Sequence, residues 1–316
     1  MKRKLAVGAL LFLACGALTV GQVPPIAHNS WTSGAPITTA VSGPAGTAVL
    51  KGEIYVVGGS NAAGAIIADT QIYNPVTSTW TTGVPLPVAT WDGVGAVVKN
   101  ILYLIGGALQ PGGSVTNSVW AYNPKTKTWT AKSPMPTARA SIGVAVEKNI
   151  IYVVGGTDGV NRFTTVESYN PATDSWTEEA PMFVGKSEPS VGLVGTTIVA
   201  ADGFTPSQWT GDTEGYSAST NSWTSFAPDP TARNGACAGG IGSQLYVAGG
   251  YDTFGSALSL TESFKPSKNT WKTPLTSMPQ AAEFGGAAAY KGKLYCIGGW
   301  SSFQGTTLNN VQIYQP

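Results

Sequence analysis

Histidine is almost absent from this chain. His28 is the single histidine in 316 residues, and it lies before the regular part of the sequence. A multi-histidine metal centre is therefore excluded, and a Ser/His/Asp triad would depend on that one residue. Charge is scarce too. Charged residues make up 11% of the chain, with Lys+Arg 18 against Asp+Glu 17 and a formal net charge of +1. No basic stripe results, so the electrostatic footprint of a nucleic-acid binder is missing. Three cysteines are too few for a disulfide-stapled scaffold. There is no Gly-x-x-x-x-Gly-Lys-Ser/Thr loop, no dinucleotide fingerprint in a βαβ setting and no Gly-x-Ser-x-Gly elbow. No cofactor is expected.

Glycine is abundant at 40 residues, but it follows no three-residue period and so does not indicate a collagen helix. Aromatic residues reach 10%, enough with the aliphatics to build a large core. Past the N terminus no stretch shows the charged 3.6-residue pattern of a surface helix.

Residues 1–22 read as a secretory signal. Met1-Lys2-Arg3-Lys4 is basic, and Leu5 onward is apolar to about Val20, short for a transmembrane span. Phe12-Leu13-Ala14-Cys15-Gly16 resembles the lipobox of bacterial lipoproteins. That resemblance implies a signal of residues 1–14, lipidation of Cys15 and a lipid anchor to a membrane. Conventional cleavage between residues 17 and 21 is the alternative. The protein is expected to be exported, whether periplasmic, extracellular or tethered to an outer membrane. Residues 23–316 are expected to form one domain and a monomer.

Tryptophan recurs at 31, 80, 129, 176, 223 and 271, in steps of 47 to 49. A glycine pair recurs in parallel at 58–59, 106–107, 155–156, 249–250 and 298–299. Ala201-Asp202-Gly203 stands where the sixth pair belongs. Each unit reads as four short strands. A small-residue run, a polar break and a β-branched run ending in Gly-Gly suggest a hairpin. A variable loop, a third strand, an Asn-Pro turn and a Trp-bearing fourth strand follow. Six such units predict an all-β, six-bladed β-propeller with four antiparallel strands per blade. The chain begins with a lone Trp31 strand and ends after a third strand, so the N-terminal strand is expected to complete the last blade. Blade 4 also lacks Asn-Pro, and a distorted inner strand is expected there.

The recurring Ile/Leu-Tyr-x-x-Gly-Gly, followed by Tyr-Asn-Pro-x-Thr-x-x-Trp, resembles the Kelch repeat. The pattern is complete at Ile54 to Gly59 with Tyr73 to Trp80, and recurs at Tyr103 with Tyr122 and at Tyr152 with Tyr169. It covers nearly everything after the signal. Some secreted Kelch-like proteins are copper oxidases built on Tyr, His and a Tyr–Cys crosslink, and the missing internal histidines break that carry-over.

Two groups of candidate binding residues follow. The first precedes the inner strands: Trp91 with Asp92, Arg139, Lys186 with Glu188, Arg233, and Glu283 with Phe284. The cations suit a carboxylate, the aromatics a sugar face, and the acids hydroxyls or proton transfer. The competing reading packs Arg139 and Arg233 against backbone carbonyls, with Glu167 and Glu262 as inter-blade partners. The second group lies in the loops after the glycine pairs, including Tyr251, Trp300, Phe254, Phe163 and Phe303. Cys237 and Cys296, in apolar strands of adjacent blades, are expected as buried free thiols, with a disulfide as the other reading.

The first functional reading is a non-catalytic module that recognises a protein or a glycan. The alternative is an enzyme, a mutarotase or epimerase. The chain looks like exported six-bladed Kelch proteins that rotate the anomer of sialic acid. The resemblance implies a cation for the sugar carboxylate and a nearby base, roles that Arg139, Arg233 and Glu283 would fill.

Overall fold

The computed structural model describes residues 28–110, 113–302 and 305–316. The expected signal, Cys15 and Phe303 lie outside these residues. The described chain is a ring of six four-stranded antiparallel sheets. Blade 1 holds Gly46–Leu50, Glu53–Asn61, Ile66–Asn74 and Thr79–Thr82, from axis to rim. Blade 2 holds Val94–Val98, Ile101–Ile105, Val119–Asn123 and Thr128–Lys132. Blade 3 holds Gly143–Glu147, Ile150–Val154, Val166–Asn170 and Ser175–Glu179. Blade 4 holds Ser190–Val194, Thr197–Ala201, Thr213–Ser217 and Ser222–Phe226. Blade 5 holds Cys237–Ile241, Gln244–Ala248, Thr261–Lys265 and Thr270–Lys272. Blade 6 holds Gly286–Tyr290, Lys293–Ile297 and Val311–Gln315, and is completed at its rim by Ser30–Gly34. The closure is in register, with Trp31 opposite Tyr314.

Each repeat tryptophan holds the rim in two ways. Its ring lies 5.0–5.2 Å from an aromatic ring on the third strand: Tyr73, Tyr122, Tyr169, Tyr216, Phe264 or Tyr314. Its indole N–H donates to a carbonyl of the linker leaving the neighbouring blade, as Trp80 does to Ala35 at 2.8 Å and Trp176 to Ser133 at 2.9 Å. One side chain thus supplies apolar contact and an inter-blade hydrogen bond.

The glycine pairs do the same near the axis. The second glycine donates its N–H to the linker entering the next blade: Gly59 to Thr90, Gly107 to Arg139, Gly156 to Lys186, Gly250 to Ala282 and Gly299 to Val41, at 2.8–3.0 Å. A Cβ on the first glycine would meet that same carbonyl at 2.4–2.6 Å, and φ there lies at 63° to 70°. In these five blades a side chain there would crowd that carbonyl and strain the dihedral.

Blade 4 corrects an expectation. Its four strands pair without a register shift, so its inner strand is not distorted. Gly203 keeps the linker bond, to Arg233 at 2.7 Å, and Asp202 takes the first glycine's place at φ 59°. Cys237 and Cys296 correct another. They form a disulfide between the innermost strand of blade 5 and the second strand of blade 6. The sheets face each other there, and the two strands approach closely enough for bonding.

Candidate functional site

Six residues at one repeat position precede the innermost strands: Gly43, Asp92, Ser141, Glu188, Gly235 and Phe284. All six have left-handed backbone, with φ between 52° and 60°. Their main chains join head to tail around the axis. Asp92 N–H donates to Gly43, Ser141 to Asp92, Glu188 to Ser141, Phe284 to Gly235 and Gly43 to Phe284, at 2.7–2.9 Å. Between Glu188 and Gly235 the ring is spanned by the Asn234 amide, which donates to the Glu188 carboxylate. Four non-glycine residues in this conformation are costly, and such strain gathers where a fold fixes a site.

The ring is the mouth of an axial cavity of about 450 Å³. Its wall is small and apolar, from residues such as Ala96, Val144, Val191, Ala238 and Ala287. The polar groups are Asp92, Ser141, Glu188 and Thr47. Ser141 Oγ lies 2.5 Å from Asp92 Oδ2 and 3.5 Å from Glu188 Oε1, so one hydroxyl bridges two carboxyl groups. Burial pushes Glu188 up to about 8, with the Asp92 charge adding to the effect. Burial raises Asp92 as well, against the Ser141 hydrogen bond. Both carboxyls are thus held above the ordinary carboxylate range.

An aromatic rim adjoins these acids. Phe204 and Trp209 meet edge to face at 4.9 Å, and Trp209 lies 6.0 Å from Tyr251. Trp209 Nε1 donates to Asn234 Oδ1 at 3.1 Å, which connects the rim to Glu188. Arg162 stands over Phe204 at 5.3 Å. Trp91 covers Gly43, and Phe284 covers Gly235: a Cβ on either glycine would strike the ring at 3.1 Å and 2.5 Å. Trp300 is half-buried in the next loop, its backbone paired with Glu283. Phe254 is 90% exposed at a loop tip.

The two expected surfaces are one. Loops after the glycine pairs bridge to residues before the inner strands, as Trp91 to Ala108, Ser187 to Phe204 and Glu283 to Trp300. Asp92, Trp91, Phe284, Tyr251 and Trp300 therefore share one face.

Three expected binding cations are elsewhere. Arg139 is fully buried, 2.7 Å from Glu167 and bonded to the carbonyls of Gly155 and Thr165. Lys186 is fully buried, 3.5 Å from Glu214 and 2.9 Å from the Asp212 carbonyl. Arg233 is fully buried against Glu262, with Asp229 at 3.7 Å and Asp202 acting on it from blade 4. Each cation pins its linker to the blade that the linker enters, so Glu167 and Glu262 are partners within a blade, not between blades. Glu283 is 2% exposed beneath the rim and outside the cavity wall. Burial and the nearby Asp252 push it up to about 7. The tentative catalytic set of Arg139, Arg233 and Glu283 thus does not converge on the channel. The acids that do are Asp92 and Glu188.

Ser141, Asn234, Phe204, Trp209 and Arg162 were not singled out from the sequence. Ser141 had a usable signal, since it shares the repeat position of Asp92 and Glu188. Asn234 holds the repeat position of Trp91 and Glu283, one residue before the mouth ring, while Arg162, Phe204 and Trp209 sit in variable loops, where no period marks them.

A family model, the KLHDC2/KLHL20/DRC7 Kelch-repeats domain, matches residues 25–205. The Kelch motif matches residues 232–279 and 284–316. Neither reaches 206–231, the outer part of blade 4, where the repeat loses Asn-Pro. No curated protein matches the chain. A solved structure titled "Structure of YjhT" is similar in fold, with a TM-score of 0.76 at 18% identity, covering 87% of this chain and 95% of that one. With the family model spanning more than half its length and the repeats closing a six-bladed ring, the chain belongs to the Kelch-repeat family.

Proposed function

We propose that this protein is an exported binding module that takes the hydroxyl-rich end of a glycan at its axial mouth. The coarser statement rests on the family: a Kelch propeller is an interaction module, a rigid ring presenting loops to a partner. The observation that carries the finer reading is the convergence of an aromatic rim and a carboxyl–hydroxyl cluster at the same end of a cavity of about 450 Å³. That volume suits one or two sugar rings. Aromatic faces take the apolar side of a sugar, and Asp92, Glu188 and Asn234 take its hydroxyls. Export is supported by the basic-then-apolar N-terminal sequence and by the Cys237–Cys296 disulfide, which belongs to an oxidising compartment.

A screen of immobilised glycans followed by calorimetry tests this. Saturable binding by the wild type, weakened at least about tenfold in Trp209→Ala, is expected. Absence of any saturable glycan would move the reading to a protein partner on the same loops.

The Asp92–Ser141–Glu188 cluster favours a second reading, sugar mutarotation. Glu188 as acid would protonate the ring oxygen while the Asp92 carboxylate takes the anomeric hydroxyl proton. The C1–O bond breaks, a carbonyl forms, and reclosure on the other face returns both protons. With Arg139 and Arg233 spent in ion pairs, this reading now concerns a neutral sugar. Anomer exchange followed by NMR, lost in Glu188→Gln, would support it. Binding without exchange would leave the module reading alone.

A further inference from the structure

The end of the ring opposite the mouth has its own chemistry. Every innermost strand starts at the mouth ring, so every turn into the second strand lies at the far end. The third strand also runs away from the mouth, so its turn into the outermost strand shares that end.

The innermost turns are two-residue hairpins, and the first central residue of each has left-handed backbone. Blades 4 and 5 open this turn with glycine, Gly195 and Gly242, at φ 64° and 60°. Blades 6, 1, 2 and 3 open it with Lys291, Lys51, Lys99 and Lys148, at φ 46° to 51°. The turns that open with glycine continue with Thr196 and Ser243, which lack left-handed backbone, so they are of the Gly-X kind that calls for glycine first. Four contiguous blades use the other kind and carry lysine at its first central position.

All four lysines are exposed. Lys125 and Lys127 of blade 2 and Lys268 of blade 5 add exposed charge at the same end. The carboxylates there are fewer. Glu147 is held by Lys148 at 3.3 Å, Asp174 accepts the Tyr169 hydroxyl, and Glu53 completes the set. Val76, 81% exposed, tops the other turn of blade 1. The mouth end, by contrast, carries Asp92, Asp158, Glu188 and Asp252 against Arg162.

We propose that the lysine face docks on an anionic phospholipid bilayer and turns the mouth away from it. The charges spread over a disc rather than along a groove, which suits an extended surface better than a single strand. One apolar tip, Val76, is placed to enter the headgroup layer. This holds whether the mouth takes a glycan or a protein.

The test compares the full chain with a form carrying Lys51→Asn, Lys99→Asn, Lys148→Asn and Lys291→Asn. Asparagine favours the same backbone, so folding is retained and is checked by thermal melt. Both are sedimented with phosphatidylcholine vesicles and with vesicles that also contain phosphatidylglycerol. Each lysine at an anionic surface contributes about fivefold to binding. The wild type should prefer the anionic vesicles, the preference should fade with added salt, and the variant should lose at least about tenfold. Equal binding of wild type to both vesicles, or full anionic preference in the variant, overturns the proposal. Retention on soluble polyphosphate without partition to anionic vesicles overturns the lipid assignment.

Discussion

In blades 3, 4 and 5 a cation before the inner strand occurs together with an acid on the third strand. Arg139 faces Glu167, Lys186 faces Glu214 and Arg233 faces Glu262. At the same positions blade 1 has Val41 with Gln71, and blade 6 has Ala282 with Gln312. There the glutamine amide bonds the linker backbone of Thr39 or Gln280 at both ends, at 2.7–3.0 Å. Two solutions therefore secure one linker: a buried ion pair or a neutral amide. Arg139→Val alone strands the Glu167 charge and should lower stability by about 3–5 kcal/mol. Adding Glu167→Gln copies blade 1 and should recover much of that loss. Urea unfolding of the single and double variants measures both, and a double variant no more stable than the single would count against this account.

Glu188 makes a pH prediction at the same scale. Its carboxyl rises from the ordinary 4.5 to about 8, first through burial and then through Asp92. The folded protein holds this proton more tightly than the unfolded chain. Its stabilisation is complete below the unfolded value and disappears as pH rises through about 8. Thermal melts from pH 5 to pH 9 should show the wild type losing more stability than Glu188→Gln across that interval. Parallel curves would mean that Glu188 does not titrate as described.

At the level of the element, the glycine pair, the tryptophan and the disulfide all join one strand to the next blade. The glycine pairs and tryptophans were readable because they repeat. Their work as inter-blade hydrogen-bond groups was not, because the linker carbonyls that accept them come from main chain of any sequence. Cys237 and Cys296 lie 59 residues apart in alternating strands. Their pairing depends on how two sheets face each other, a property of the assembled ring. The bond ties blade 5 to the blade that closes the molecule. Cys237→Ala with Cys296→Ala should lower stability by about 2–4 kcal/mol. Wild type treated with reductant after denaturation should match the variant, and a variant melting like oxidised wild type would show the bond contributes nothing.

For the whole molecule, closure rests on a strand from the opposite end of the chain. Ser30–Gly34 completes blade 6, and His28 Nδ1 lies 2.7 Å from the Pro316 carbonyl. Deleting residues 28–36 should expose the rim of blade 6 and remove the cooperative melt of the whole ring. A melt as sharp and as high as that of the parent would contradict this. The ring also separates two faces, an acidic aromatic mouth and a lysine-bearing underside, from a chain whose net charge is only +1.

The number of blades, the strand pattern and the mode of closure were set by the sequence alone, because a propeller repeats its signals at fixed spacing. Local preferences such as Gly-Gly, Asn-Pro and Trp are read where they stand. The site was only partly legible. Asp92, Trp91, Phe284, Tyr251 and Trp300 do lie on the mouth face, but Arg139, Lys186, Arg233 and Glu283 sit two residues or fewer from mouth positions and point into the blades or beneath the rim. The left-handed residue at each mouth position breaks the alternation of an extended chain, so the residues one or two places before it do not follow it into the channel. Which cations stay free is decided by buried partners on the third strand, and which acids meet one hydroxyl is decided by distances across blades. Those are tertiary facts, and so are the two opposed faces, because both arise from bending a uniform repeat into a closed ring.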